Sequence, residues 1–388
     1  MMIAVIADDI TGAAEIAGLA LRYRLTVQIL TEPVKPAADA DVLIISTDAR
    51  SMQKQDALAV TQKAVEFLQL LQPAFIYKKI DSVLRGYILD EIQVQSALTG
   101  KHSALIIAPN PSLARTIRQG CYFVDGIPIH QTAFSKDPEF AMKYSHVLQM
   151  LRGADHHPVL VRTVEEGIDH HAIIVGEVSN ENDLDTWAML SKEKDLVLAG
   201  GGDFFMAVLK AYRIGQAPDN IQYTPMHFTQ PFLMVSGTSF TRRVAAIKKY
   251  SLAGGKVIYM PASVYASKTV SVEAIEEWSC KITELLKTSG HAVIAIDSDD
   301  TVEADAVILR KNMALCVQQV CSQIKLNELF IEGGATAAAI IESMEVSALY
   351  PTEELGRGVI KMRAKDPPVY ITIKPGSYPL PEDFFETI

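Results

Sequence analysis

Along this chain, short apolar runs alternate with longer stretches of helical spacing. In the first half IAVIA (3–7), TVQIL (26–30), DVLIIST (41–47), AFIYKK (74–79), SALIIAP (103–109), HAIIVG (171–176) and LVLAG (196–200) read as strands. Amphipathic stretches, such as Asp56 to Leu71 and Asp183 to Ser191, lie between most of them. This alternation predicts a largely parallel sheet with helices on both faces. The segment Gly215 to Gln230, rich in Pro, Gln and Asn, reads as a linker. Beyond it a second alternation starts, with FLMVSG (232–237), KVIYM (256–260), AVIAID (292–297), ELFIEGG (328–334) and VYITIKPG (369–376). The expected fold class is therefore α/β, in two domains, 1–228 and 229–388, each a largely parallel sheet flanked by helices. No internal repeat or low-complexity tract interrupts it.

Composition narrows the function. A chain of 388 residues suits two cores rather than one. Hydrophobic content of 49% and charged content of 21% are those of an ordinary soluble protein. A formal net charge of −10 argues against nucleic acid or an anionic membrane as main partner. A small anionic substrate stays open, because local arginines override the global field at short range. Cys121, Cys280, Cys316 and Cys321 have no CxxC spacing, so neither a zinc site nor a disulfide framework is indicated. No apolar run reaches membrane-spanning length and no targeting segment is visible, so the expected location is cytoplasmic.

Polar residues gather where the predicted strands end. IADDITG puts Asp8 and Asp9 at a strand-to-helix junction. One Asp there serves as helix N-cap. The second is unexplained, since neighbouring carboxylates repel unless a cation or ligand hydroxyls intervene. KKIDSVLRG brings Lys79, Asp81, Ser82 and Arg85 directly after a buried strand. Lys and Arg can hold a carboxylate, Asp and Ser can bind sugar hydroxyls, and Asp81 can act as general base. The bland alternative is a basic turn that pairs internally and caps a helix. STDAR offers Asp48 and Arg50, and PNPSLART offers Asn110 and Arg115. Each is weak singly; together they point to a small polar anion. A second reading takes D-x-T-G at Asp9 as the nucleophile motif of a haloacid-dehalogenase-type phosphatase, with Thr11 as in the P-type ATPase variant. His156–His157 and His170–His171 lack metal-site spacing and read as surface residues. Asp297 to Asp300 reads as a helix cap before it reads as a Mg²⁺ site.

The second half carries three glycine turns: VSGTSFTRR (235–243), FIEGGATAAAI (330–340) and ITIKPGSYP (371–379). Glycine lets backbone N–H groups approach an anion, and a helix N-terminus favours it. Ser236, Thr238 and Thr336 can add bonds to phosphate oxygens. Neither GxxxxGK[ST] nor GxGxxG is present, but three such turns in one domain fit a nucleotide site.

Taken in order, IADDITG, KKIDSVLRG, the loop with Arg115, Gly120, Gly126, Thr132 and Asp137–Pro138, SGTS, EGGATA and the terminal KPG resemble the four-carbon acid sugar kinase family over nearly the whole chain. The resemblance implies an N-terminal domain for a four-carbon sugar acid, a C-terminal domain for ATP, and an active site in the interdomain cleft. It implies ATP-dependent phosphorylation of the terminal hydroxyl of threonate, erythronate or an oxo-tetronate, with Mg²⁺ and with a homodimer as a possible assembly. Asp8, Asp9, Lys79, Asp81, Ser82, Arg85 and Arg115 should line the acid site, Lys79 and Arg85 holding the carboxylate and Asp81 or Asp9 acting as base. Ser236, Gly333, Gly334, Ala335, Thr336 and Gly376 should line the ATP site. The chain departs from the family pattern at Val83, Ala335 and Pro379. A phosphatase and a non-catalytic sensor of sugar acids are the alternatives.

Overall fold

Every residue of the first strand, β1 (Ile3–Ala7), is buried, as a parallel strand covered on both faces must be. In the computed structural model the chain divides into two units, Met1–Ile221 and Gln222–Ile388. The structure describes residues 2–36, 39–136, 140–151, 158–192, 194–218, 220–237, 241–265, 271–297, 305–376, 378, 380–381 and 384–388.

The first unit continues with α1 (Ile10–Arg22), β2 (Val27–Leu30), β3 (Val42–Ser46), α2 (Lys54–Leu70), β4 (Ile76–Lys79), α3 (Ile88–Thr99) and β5 (Ala104–Ile107). Then come β6 (Arg115–Arg118), β7 (Cys121–Val124), β8 (Ile127–Pro128), α4 (Val147–Met150), β9 (Val159–Arg162), β10 (Ile173–Gly176), α5 (Glu181–Ser191), β11 (Val197–Gly200) and α6 (Gly202–Tyr212). Its sheet runs β2-β3-β1-β4-β11-β5-β10-β9, parallel throughout. Consecutive residues of β4 show how it is covered. Tyr77 packs on Phe204 and Phe205 of α6, and Lys78 pairs with Glu91 of α3. Side chains alternate between faces of a strand, so α6 and α3 lie on opposite faces.

The chain leaves β1 toward β2 on one side and leaves β4 toward β5 on the other. Such a reversal opens a crevice beyond the carboxyl ends of the two neighbouring strands. KKIDS and IADD both fall there. The antiparallel β6-β7-β8 sheet was not expected from the sequence, because its strands are too short and too polar to show a period.

The second unit holds β12 (Phe232–Ser236), α7 (Thr241–Leu252), β13 (Val257–Tyr259), α8 (Ala262–Tyr265), α9 (Val272–Ser289), β14 (His291–Ala295), α10 (Ala306–Gln323), β15 (Glu328–Glu332), α11 (Gly334–Ser343), β16 (Ala348–Gly356), β17 (Val359–Ala364) and β18 (Val369–Lys374). Its strand order is β13-β14-β12-β15-β18-β17-β16. The first five are parallel, and β17 pairs antiparallel with both β16 and β18. β16 and β17 escaped the sequence reading. Register shifts at Pro351/Glu353 and Glu354/Gly356 break the alternation of β16. Here the reversal falls between β12 and β15, so the SG and EGG turns share one crevice mouth.

Candidate active site

The two adjacent aspartates have different geometric roles. Asp9 is the N-cap of α1. Its Oδ1 accepts the Gly12 N–H at 2.7 Å, and its Oδ2 accepts the Thr11 hydroxyl and an Arg50 N–H. Gly12 is needed for this approach, because a Cβ there would stand 2.7 Å from Asp9 Oδ1 and 3.2 Å from Lys79 Nζ. Asp8 makes no cap. It is 2% exposed, its Oδ2 lies 3.5 Å from Arg50 Nη1, and its buried Oδ1 has no hydrogen-bond partner among the described residues. Burial pushes the Asp8 carboxyl up to about 6, with Asp9 adding to the rise and Arg50 opposing it. Burial acts on Asp9 too, but Arg50, Lys79 and the bonds from Thr11 and Gly12 outweigh it and hold Asp9 below the usual range. Two neighbours of one chemistry are thus pushed apart in acidity.

Arg50 sits among three carboxylates, touching Asp8, Asp9 and, at 3.3 Å, Asp81 Oδ1. Asp81 also accepts the backbone N–H groups of Val83 and Arg85, both at 3.2 Å. Burial would raise its pKa, but the charge and bonds of Arg85, with Arg50, hold it well below the carboxylate range. The two lysines of KKIDS part company. Lys79 Nζ lies 3.2 Å from Glu15 of α1 and 3.0 Å from the Ile80 carbonyl, while Lys78 lies 2.5 Å from Glu91, which also accepts the Thr61 hydroxyl at 3.1 Å. Arg115 donates to the Ser82 hydroxyl and sits 5.5 Å from the Phe134 ring centre. Tyr122 donates to the Ser82 carbonyl. Asn110, fully buried, accepts the Asp203 N–H at 3.2 Å at the start of α6. Asp8, Asp9, Lys79, Asp81 and Arg85 therefore converge on one crevice around Arg50, and Arg115 joins them through Ser82. Arg50 was visible only as the end of STDAR; its central place depends on β3 lying beside β1.

In the second unit one carboxylate organises the glycine turns. Glu332, fully buried, accepts the Ser236 hydroxyl at 3.0 Å, Arg243 Nε at 2.9 Å and Lys374 Nζ at 2.7 Å. Lys374 also donates to the Pro375 carbonyl at 2.8 Å and lies 3.5 Å from that of Gly376. Burial lowers the Lys374 ammonium, against the pull of Glu332. Gly333, at φ +110°, is the N-cap of α11 and gives it no side-chain cap. Gly334, Ala335 and Thr336 form the first turn, with N–H groups suited to an anion. A Cβ at Gly237 would stand 1.9 Å from Thr336 Oγ1, so only glycine lets these turns meet. Ser236, Gly333, Gly334, Ala335, Thr336 and Gly376 are thus gathered at the ends of β12, β15 and β18. Glu332, Lys374 and Arg243 were not singled out in the sequence. The available signal was a charge ending an apolar strand immediately before a glycine turn. Asp137–Pro138, His156–His157, Thr238, Ser298 to Asp300 and Pro379 lie outside the described residues. Among the described residues no three His, Cys, Asp or Glu side chains converge as a metal site, and no helix is long and apolar enough to cross a membrane.

Residues 3–208 match the family described as the sugar-binding N-terminal domain. A D-threonate kinase of Salmonella typhimurium is 33% identical over 161 residues, which are 41% of this chain and 38% of that protein. A D-erythronate kinase of Heliobacterium modesticaldum is 29% identical over 162 residues, 40% of this chain and 37% of that protein. A 3-oxo-tetronate kinase of Brucella melitensis is 23% identical over an alignment covering 100% of this chain and 95% of that protein. The fold is shared with Haemophilus influenzae protein HI1011, at a TM-score of 0.74 and 17% identity over 99% of this chain and 98% of that one.

Proposed function

The chain belongs to the sugar-binding-domain family of four-carbon acid sugar kinases, and from that premise we propose that it is a cytoplasmic, ATP-dependent kinase of the terminal hydroxyl of threonate, erythronate or an oxo-tetronate. The first unit takes the sugar acid and the second takes ATP. The observation that carries the reading is Asp8: a buried carboxylate with one oxygen unpartnered among the described residues, at the mouth of a parallel-sheet crevice lined with cations.

In this reading Asp8 accepts the proton of the terminal hydroxyl, since its raised pKa of about 6 suits a base near neutral pH. Asp81, held charged by Arg85, is a weaker base and keeps the loop in place. Asp9 anchors α1 and holds Arg50 in place. Arg115 has no carboxylate partner among the described residues and, with Ser82, takes the substrate's carboxylate. Lys79 and Arg85 are already paired and set the field. Ser236, Gly333 to Thr336 and Gly376 hold the nucleotide phosphates against the N-terminus of α11, with Lys374 fixing the Pro375–Gly376 turn. Mg²⁺ bound to those phosphates would neutralise their charge. A phosphatase with Asp9 as nucleophile finds no support, because both Asp9 oxygens are engaged in capping α1 and pairing with Arg50.

The test is ADP release from ATP and Mg²⁺ with D- and L-threonate, D- and L-erythronate and the 2- and 3-oxo acids. Release dependent on one acid establishes the kinase and names its substrate. Folded protein that responds to none of them refutes the assignment, and acid binding without turnover would leave a sensor.

A further inference from the structure

We propose that Arg50 is an internal counter-ion that makes the site select acids and reject neutral polyols of the same length, an inference that rests on the sugar-acid reading above. The guanidinium covers the carboxylates it pairs. Its side chain is 16% exposed, and those of Asp8, Asp9 and Asp81 are 3%, 7% and 8% exposed beneath it. A hydroxyl that is to bridge both oxygens of Asp8 competes with that guanidinium at Oδ2. A neutral hydroxyl replaces a charge-assisted contact with a weaker one and leaves Arg50 to lean on Asp81, a carboxylate already held by Arg85. No neighbouring cation takes its place, because Lys79 is paired with Glu15, Lys78 with Glu91 and Arg85 with Asp81.

An acid differs in one respect: it brings its own carboxylate. The guanidinium can turn from Asp8 to that carboxylate, beside Arg115, and so keep a counter-charge, while Asp8 turns to a hydroxyl and Asp9 stays held by Gly12 and Thr11. The Arg50 stem already runs along bare backbone. A Cβ at Gly86 would stand 3.5 Å from Arg50 Cγ. Rejection of the polyol is thus a charge left with one shared partner, in addition to better contacts with the right ligand.

The experiment is calorimetric binding of the four-carbon acids and of threitol and erythritol to wild type, Arg50→Met and Arg115→Met. Arg50→Met should weaken the preferred acid by about 100-fold and tighten the polyols by about 10-fold or more. Arg115→Met should weaken the acid and leave the polyols unchanged. An Arg50→Met protein whose polyol affinity is unchanged, or falls with that for the acid, overturns the proposal. Arg50→Lys, which keeps the charge, should keep the polyols out. If Arg50→Met does not fold, the ¹⁵Nε signal of Arg50 in wild type decides: it should move with the acid and stay with the polyol, and any other pattern refutes the exchange. Failure of wild type to bind any acid would instead refute the sugar-acid reading itself.

Discussion

Arg85 grips Asp81 through two parallel contacts, Nε to Oδ2 at 2.9 Å and Nη2 to Oδ1 at 2.8 Å. A forked pair of this kind is among the strongest side-chain contacts. It fixes the Asp81–Arg85 loop and ties up the lone pairs a base would need.

Asp81→Asn should therefore act first on stability. Breaking a buried pair by removing one partner costs roughly 3–5 kcal/mol, which urea unfolding would read. The sign with pH follows from a carboxyl held well below its ordinary range. Such a group stabilises above its unfolded pKa, and that contribution is lost as the pH falls through the lower folded value. Asp81 should then contribute no titration near neutrality, and the pH profile of residual activity should keep the wild-type shape. Loss of an acidic limb in Asp81→Asn would return the role of base to Asp81.

Asp8→Asn should do the reverse. Loss of a positioned general base lowers kcat by about 10²- to 10⁴-fold. Wild-type activity should rise as the pH climbs through about 6 and then level off, and the variant's residual activity should lack that limb. Stability has the opposite trend: a carboxyl raised by burial binds its proton more tightly when folded, so stability falls as the pH rises from its unfolded value to its folded one. Asp8→Asn, relieved of that cost, should melt no lower than wild type at about pH 8, with the difference narrowing on acidification. A variant that keeps wild-type turnover would sink the assignment.

These two carboxylates mark the limits of what the sequence discloses. Twelve apolar runs, from 3–7 to 369–376, were legible as strands because burial on both faces leaves them few polar residues. IADD and KKIDS were legible as a candidate site because charge directly after such a run is costly to bury without a purpose. Which aspartate caps α1 was not legible, since both stand at the same junction. Nor was the separation of Lys78 from Lys79, although the two-residue period of a strand sends them to opposite faces. Arg50 and Glu332 lie one level further away. Their weight comes from which strands are neighbours, and neighbourhood in a parallel sheet is set by helical crossovers that leave no local trace.

Gly237→Ala tests the assignment of the nucleotide to the second unit. The added methyl would meet Thr336 Oγ1 at 1.9 Å, so the SG and EGG turns must separate. The KM for ATP should rise by about 10-fold or more, by analogy with other misplacements of phosphate-binding groups. Sugar-acid binding measured without nucleotide should be unchanged. Loss of acid binding with unaltered ATP affinity would reverse the assignment of the two units.

Glu332 and Lys374 permit a cleaner separation of charge from shape. Both are fully buried, and the Lys374 Nζ lies 2.7 Å from Glu332 Oε1. Lys374→Met removes the ammonium but leaves Glu332 with Arg243 and Ser236 as partners, a partial compensation. Glu332→Gln leaves two cations, Lys374 and Arg243, facing each other across a neutral amide, and their mutual repulsion adds to the lost pairing. Glu332→Gln should therefore be the more damaging of the two, by about 1–2 kcal/mol within the roughly 3–5 kcal/mol range for a broken buried pair. Restoring neutrality should recover part of the loss: the double variant Glu332→Gln, Lys374→Met should be more stable than Glu332→Gln alone, an interaction a double-mutant cycle measures directly. Each variant should raise the KM for ATP, because the Pro375–Gly376 turn and the Ser236 hydroxyl both hang on this carboxylate. A double variant no more stable than Glu332→Gln would mean that Glu332 holds the turns by its shape and its bond to Ser236, with the ion pair incidental.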